Sequence, residues 1–279
     1  MATTLMTSTA PPLLTAHASW FVRSSPQPQA DAVQIDLRSL TELLGGAPGS
    51  AAGETGGERF SVRRVARGAT LVHEGARASM LYVVQAGSFK CVQTAEDGYE
   101  HVLGFAWRRD VIGYDGLSGE NYAFAAVALE DSTVVALPLA SLAVLRQRAP
   151  LFDAALQAIV ARQLTHAGEI ARVMSAVAAN ARLARFLIQL SASMAERGQS
   201  SRHLLLRMNR RDIANHLGLA HETISRSLRM MTDAGWLRVD IRELEILDPA
   251  ALRRCARNTR GPAEATPLAS RQPVLAFAA

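Results

Sequence analysis

The spacing of apolar residues divides the chain into a first half of short runs and a second half of longer amphipathic stretches. From Phe60 to Leu137 the apolar runs are short and are separated by turn residues such as Gly87 and Gly98. Short runs divided by Gly and Asp are typical of antiparallel strands that close into a barrel or jelly roll. We therefore predict an antiparallel β-barrel over this part of the chain.

A long helix is predicted to follow, because Pro150 suits a first helical turn and helical periodicity continues to about residue 180. One side of this helix carries apolar or small residues at intervals of four and three, a heptad-like seam. The seam consists of Val160, Leu164, Ala167, Ala171 and Met174. We expect it to pair with the same helix of a second subunit; the alternative is a helix buried within one subunit.

Two shorter amphipathic segments meet at Gly218, a residue suited to the positive φ of a turn after a helix. The second segment places Ile224, Leu228 and Met231 on one face at helical spacing. Its opposite face is polar and carries Glu222, Ser225, Arg226 and Arg229. An apolar inner face and a polar outer face are what a helix lying in the DNA major groove requires.

Predicted strands at residues 204–208 and 236–247 flank this helix pair and complete a winged helix-turn-helix. The fold class is therefore α+β, with a β-barrel domain, a long dimerisation helix and a C-terminal winged domain. We place a disordered arm at residues 1–34, the barrel at 35–149, the dimerisation helix at 150–180, the winged domain at 181–258 and a disordered tail at 259–279.

Charge supports DNA as the partner. The net charge is +5, and residues 201–260 alone contain twelve Arg against seven Asp or Glu. Positive charge is therefore concentrated where phosphate binding would need it. Cys91 and Cys255 match no metal-binding spacing, which favours a reduced cytoplasmic protein. No apolar run is long enough to span a membrane, and we expect neither a secretory signal nor a membrane partner.

Enzymatic activity is not expected. The sequence contains no HExxH, GxSxG or P-loop motif and no paired carboxylates of the kind that catalysis uses. We therefore predict no catalytic residues, no metal and no cofactor. Two other classes of function stay open: a regulatory subunit of an enzyme, and an architectural DNA protein that does not read sequence.

Several motifs carry a resemblance to a known family. They are Asp212–Ala214, Leu217–Leu219 and Glu222–Arg226 in the second half, and residues 81–90 and 110–117 in the first. Together they resemble the Crp/Fnr family of transcription regulators over residues 59–256. Residues 110–117 are closer to the branch of the fumarate and nitrate reduction regulator than to the cyclic-AMP branch.

The resemblance implies a homodimeric transcription activator with a double-stranded β-helix of the cyclic-nucleotide-binding type as sensor. It implies that Glu222, Ser225 and Arg226 read a TTGAT-like half-site of a palindrome. Arg can donate twice to guanine and Glu can accept from cytosine, which agrees with those roles. We expect backbone or outer-base contacts from Arg210, His221, Thr223 and Arg229. The resemblance also implies that RNA polymerase touches surface loops such as the acidic hairpin tip at Glu96 and Asp97.

The sensor departs from the family pattern. Residues 1–59 contain no Cys. An iron–sulfur cluster needs about four thiolates and is therefore excluded within one subunit. The expected targets are nevertheless anaerobic or nitrogen-oxide-linked genes. Residues 121–127 contain no Arg to hold a cyclic phosphate. Cyclic-nucleotide sensing and haem sensing, with His17, His73 or His101 as ligands, remain as alternatives. Cys91 is either a buried apolar residue or a redox switch, and a regulator without any effector is a further alternative.

Overall fold

The computed structural model of the protein describes residues 33–47, 57–176 and 178–258, with the side chains of 166, 167, 169 and 172 set aside. The first part of the chain forms short strands and three helices. They are β1 (Gln34–Asp36), α1 (Leu37–Leu44), β2 (Arg59–Val65), β3 (Thr70–Val72), β4 (Met80–Ala86), β5 (Ser88–Thr94), β6 (Glu100–Trp107), β7 (Val111–Ile112), a 3₁₀ turn (Tyr114–Leu117), β8 (Ala125–Ala128), β9 (Ser132–Pro138), α2 (Leu139–Arg148) and α3 (Pro150–Met174).

The strands form two antiparallel sheets, in the orders β1-β2-β9-β4-β7 and β3-β8-β5-β6. Strand β4 is buried on both faces because its apolar residues are consecutive. Tyr82 and Val84 join the core between the sheets, whereas Leu81 and Val83 pack in a second core that includes Phe152 of α3. The predicted barrel of short antiparallel strands is confirmed.

The second part of the chain forms the winged domain, called the reader below. Its elements are α4 (Ala179–Glu196), β10 (His203–Leu205), α5 (Arg210–Leu217), α6 (His221–Asp233), β11 (Leu237–Asp240), β12 (Glu243–Ile246) and α7 (Pro249–Arg257). The three strands pair in the order β10-β12-β11. One apolar core joins α4, α5, α6 and the small sheet, and Phe105 and Trp107 of β6 pack against it. The predicted α+β class with a winged helix-turn-helix is confirmed.

The helix predicted over residues 150–180 ends earlier than predicted. Helix α3 ends at Met174, and Ala178 takes an extended conformation before α4 begins. The Arg182 guanidinium donates a 2.6 Å hydrogen bond to the Ala176 carbonyl, which a continuous helix would have paired with a backbone N–H. Periodicity missed the break because alanine and serine fit either conformation.

Other differences from the predictions are smaller. A strand, β1, precedes the short N-terminal helix, and α2 and β7 were not predicted. The predicted tails at 1–34 and 259–279 lie outside the described residues except for residues 33 and 34. None of the described helices combines the length and the apolar content that a membrane span needs.

Candidate nucleic-acid interface

Both ends of α5 are fixed locally, by a capping box at its start and by Gly218 at its end. The Asn209 side chain accepts from the Asp212 N–H at 2.8 Å, and the Asp212 carboxylate accepts from the Asn209 N–H at 3.0 Å, a capping box that starts α5. Gly218 ends the helix with φ of 59°. A Cβ there would lie 2.8 Å from the Met174 methyl, so both the conformation and the space favour glycine.

Helix α6 has the two faces that its sequence predicts. Ile224, Leu228 and Met231 are buried in the reader core. Glu222 and Arg226 lie on the exposed face, and Ser225 beside them is half-buried. The three predicted base-reading residues are therefore brought together on one outer stretch of the helix.

The side chains on this stretch are held loosely. Glu222 is 65% exposed, and its carboxylate lies 3.3 Å from Nδ1 of His221. The Arg226 guanidinium is 3.4 Å from the Thr223 hydroxyl, and within the described part of the chain it forms no ion pair. These contacts are long and solvent-exposed, so the side chains can reorganise around a partner at little cost.

Cationic residues surround the three candidates. Arg210 at the start of α5 lies 3.5 Å from the Ser225 hydroxyl. A shallow groove at this place is lined by Arg210, Arg226 and Arg229 and reaches Val239 on the wing. Arg229 is exposed and lies 3.8 Å from Asp233. Such a patch provides positive charge next to the reading residues, and positive charge of this kind attracts DNA phosphate groups.

The opposite side of the reader packs on the barrel and was not predicted. The Lys90 ammonium of β5 lies 3.0 Å from Oδ1 of Asp212, and the two side chains are 18% and 8% exposed. The Nδ1 atom of His216 lies 3.0 Å from the Val102 carbonyl of β6. Burial lowers the pKa of His216, with the Val102 carbonyl opposing this in part. The same residue, Asp212, therefore caps α5 and joins the reader to the barrel.

Further polar contacts join the two domains. The Arg197 guanidinium holds both oxygens of Asp110, at 2.9 and 3.0 Å. Burial raises the pKa of the Asp110 carboxyl, and Arg197 opposes that rise. The Arg207 guanidinium lies 3.0 Å from Glu130 of the barrel. No sequence pattern marks these pairs, because the partners are distant in the chain.

The predicted seam on α3 is partly exposed. Leu164 is 59% exposed and Ala171 is exposed, whereas Val160 and Met174 are half-buried. Met174 packs toward Gly218 within its own chain. The side chain of Ala167 lies outside the described residues.

The remaining candidates lie in the barrel domain. Glu96 and Asp97 are exposed at the hairpin tip, and nearby Tyr99 donates a 2.9 Å hydrogen bond to Asn215 of α5. His73 and His101 are exposed, and His17 lies outside the described residues. No group of three metal-binding side chains occurs within the described ranges. Burial raises the pKa of the Cys91 thiol to about 12, which keeps it protonated and argues against a redox switch.

Comparison with known proteins agrees with this architecture. A model of the cyclic nucleotide-binding domain matches residues 62–149, and a model of the Crp-like helix-turn-helix domain matches residues 181–255. The transcriptional activator protein FnrA of Stutzerimonas stutzeri is 32% identical over 68% of this chain and 78% of its own length. The fumarate and nitrate reduction regulatory protein of Shigella dysenteriae is 32% identical over 70% of this chain and 78% of its own.

Solved structures share the fold. FixK2 from Bradyrhizobium japonicum superposes with a TM-score of 0.63 at 25% identity, covering 70% of this chain and 96% of that chain. A CooA mutant from Carboxydothermus hydrogenoformans superposes with a TM-score of 0.61 at 20% identity, covering 80% and 98%. The similar curated proteins are regulators of transcription and not enzymes.

Proposed function

The chain belongs to the Crp/Fnr family of DNA-binding transcription regulators, and from this premise we propose that it acts as a homodimer that reads a TTGAT-like palindrome with helix α6. The observation that carries this proposal is the placement of Glu222, Ser225 and Arg226 on one outer stretch of α6. An activator role fits the name of the relative FnrA, a transcriptional activator protein.

The chemistry of the stretch suits base reading. Arg226 presents a guanidinium that forms no ion pair among the described residues and can donate to O6 and N7 of guanine. Glu222 presents an exposed carboxylate that can accept from the amino group of cytosine. Each such contact contributes roughly 1–3 kcal/mol of discrimination against a wrong base.

Phosphate contacts would come from the surrounding residues. Arg210 and Arg229 line the same groove as Arg226, and His221 and Thr223 lie at the start of α6. A helix N-terminus carries partial positive charge, which favours phosphate there. These residues would position the reader on the duplex without selecting a sequence.

Pairing of two chains through α3 is supported by the exposed Leu164. A large apolar side chain that is 59% exposed on a heptad-like seam is better accounted for by a partner helix than by solvent. Two readers related by a twofold axis would match the two half-sites of a palindrome.

The signal and the cellular partners belong to the same proposal. We propose regulation of anaerobic or nitrogen-oxide-linked genes in the cytoplasm, without an iron–sulfur cluster, and contact of RNA polymerase with exposed Glu96 and Asp97. Cyclic-nucleotide sensing is the second candidate because the barrel matches that domain model. The absence of Arg from residues 121–127 argues against it.

A binding assay tests the reading proposal. Purified protein is titrated against a fluorescent duplex that contains two inverted TTGAT half-sites, and against a duplex of the same composition with scrambled half-sites. We expect at least about a thousandfold preference for the first duplex at equal salt, which is the lower end of the range of specific regulators. Equal affinity for both duplexes would favour an architectural DNA protein.

Sedimentation analysis tests the dimer. Leu164→Glu places a charge on the seam and should convert a dimer into monomers at micromolar concentration. Val144→Glu is the matched control, because Val144 is 47% exposed on α2 and lies outside the seam. A wild-type protein that is monomeric at this concentration would contradict the proposal.

A further inference from the structure

A cavity of about 480 Å³ lies between the barrel and the reader. The barrel side contributes Leu103, Phe105 and Trp107 of strand β6, and helix α4 contributes Phe186 and Leu190. Other residues of the lining include Cys91, Tyr114, Phe124, Gln163 and His216. Strand β6 is the edge strand of its sheet, so the cavity extends past the barrel edge to the reader.

The walls are rich in aromatic rings. Phe105 lies 6.4 Å from Trp107 and 6.2 Å from Phe186, measured between ring centroids. The ring of His216 packs edge-on against both phenylalanines, at 5.2 and 5.6 Å. Such walls provide the edge-to-face contacts that a flat aromatic molecule can continue.

The charged groups on the wall compensate each other. Arg197 donates to both oxygens of Asp110 and also to the Ser193 hydroxyl. Arg197 and Asp110 both line the cavity, and their charges are already paired across a short distance. An anionic ligand would therefore have to break this pair or enter an apolar site without a counter-charge, and either is unfavourable.

The side chain of Gln163, a neutral polar residue of the lining, is also engaged. The Gln163 side-chain oxygen accepts from the Val111 N–H at 3.2 Å, and its amide donates to the Val111 carbonyl at 2.9 Å. Burial keeps the Cys91 thiol protonated by raising its pKa to about 12. What the cavity offers is therefore mainly apolar area and ring faces.

We propose that this cavity binds a small uncharged aromatic molecule between the outer side of strand β6 and helix α4. Its volume lies within the range of 300–1,000 Å³ that is usual for small-molecule sites, and such sites are common between domains. Because Leu103 and Trp107 belong to the barrel and Leu190 to the reader, the ligand touches both. The site is separate from the outer face of α6 and does not depend on DNA reading.

Two matched dyes test the ligand class. Phenylnaphthylamine is uncharged, and anilinonaphthalene sulfonate has the same rings with one added sulfonate. Full-length protein is titrated with each dye, and dye fluorescence is recorded. We expect saturable binding of one uncharged dye per chain, at least about tenfold tighter than the sulfonate, because the anion finds no free counter-charge. Equal or tighter binding of the sulfonate would overturn the proposal.

Substitutions test the location. Leu103→Glu adds a charge at a residue that is 41% exposed on the cavity wall, and should weaken uncharged-dye binding at least about tenfold. Val144→Glu makes the same change at a similarly exposed residue outside the lining and should leave binding unchanged. Equal losses in the two variants would mean that the dye binds elsewhere.

Energy transfer from tryptophan gives a readout that does not depend on affinity. Trp107→Phe should remove more of the dye emission excited through tryptophan than Trp236→Phe, because Trp107 lines the cavity and Trp236 does not.

Cyclic AMP serves as the competitor of the nucleotide class and should not displace the dye. Displacement by cyclic AMP, or an equal loss in the two tryptophan variants, would refute the site as proposed.

Discussion

The two sides of the reader differ in how tightly their side chains are held. On the outer face of α6, Glu222 and Arg226 are exposed and make contacts of 3.3 Å and 3.4 Å with neighbours on the same helix. On the side that packs on the barrel, Asp212 and His216 are buried and make 3.0 Å contacts with Lys90 and Val102. The first set is available to a partner, whereas the second already has its partners.

This difference separates two roles of one small domain. A side chain that recognises DNA must lose few contacts when it moves to a base edge, so exposure and long contacts suit it. A side chain that positions the reader must make contacts whose loss costs much free energy, so burial and short contacts suit it. Substitutions on the two sides should therefore change different measurements.

The largest effect is expected at the Arg197–Asp110 pair. Arg197→Met leaves the Asp110 carboxylate, 8% exposed, without its counter-charge. We expect the free energy of unfolding in urea to fall by about 3 kcal/mol. Arg146→Met is the control, since the Arg146–Asp153 pair is solvent-exposed and should contribute less than about 1 kcal/mol. Equal losses would show that burial does not set how much an ion pair contributes to stability.

The second effect concerns DNA and not stability. Arg226→Ala should weaken binding to the TTGAT duplex by roughly 5- to 150-fold, equivalent to about 1–3 kcal/mol, and should reduce the preference over the scrambled duplex. Its urea unfolding curve should match that of the wild type, because Arg226 is exposed.

Arg38→Ala is the matched control for this measurement. Arg38 is exposed on α1 and pairs with Glu42, so its loss removes the same charge far from α6 in the sequence. A drop in affinity that is equal for both duplexes would identify Arg226 as a phosphate contact and not a base contact.

The outer face of α6 could be predicted from the sequence because its information is local. Ile224, Leu228 and Met231 repeat at helical spacing, Gly218 marks the turn, and the polar residues fill the other face. The barrel strands were predicted for the same reason. Apolar runs such as residues 81–84 predict strands even when the neighbouring strands are not known.

The barrel-facing side could not be predicted because its information is spread along the chain. Lys90 and Asp212 are 122 positions apart, and the sequence marks Asp212 only as part of the motif Asp212–Ala214. The break between α3 and α4 escaped prediction for a related reason. The Arg182 guanidinium hydrogen-bonds to the Ala176 carbonyl at the break, and periodicity does not encode this contact.

The third effect uses the fact that Lys90 is the only lysine in the sequence. An amine-reactive reagent should modify Lys90 slowly while it is paired with Asp212. Asp212→Asn removes the opposite charge, although Glu100 at 3.7 Å still offers a weaker contact. We expect the rate of Lys90 modification, measured by mass spectrometry, to rise up to about tenfold, equivalent to about 1.4 kcal/mol.

The terminal amine of the same chain is the internal reference for that rate, and Asp153→Asn is the control for a carboxylate that lies outside the reader contact. If Asp212→Asn leaves Lys90 modification unchanged relative to the terminal amine, the pair does not hold the two domains together.

The smallest effect is the pH dependence of the His216 contact. Burial lowers the pKa of His216 in the folded protein below the unfolded value of about 6.5. Below that pH the unfolded chain takes up the proton first, so the free energy of unfolding should fall as pH drops from 7.5 toward the folded pKa.

His216→Gln keeps a hydrogen-bond donor for the Val102 carbonyl but does not titrate, so its stability should decline less over this range. His101→Gln, at an exposed position of the same strand β6, should decline as the wild type does. If the wild type and His216→Gln lose stability in parallel, the buried imidazole does not make the barrel-facing side of the reader sensitive to acid.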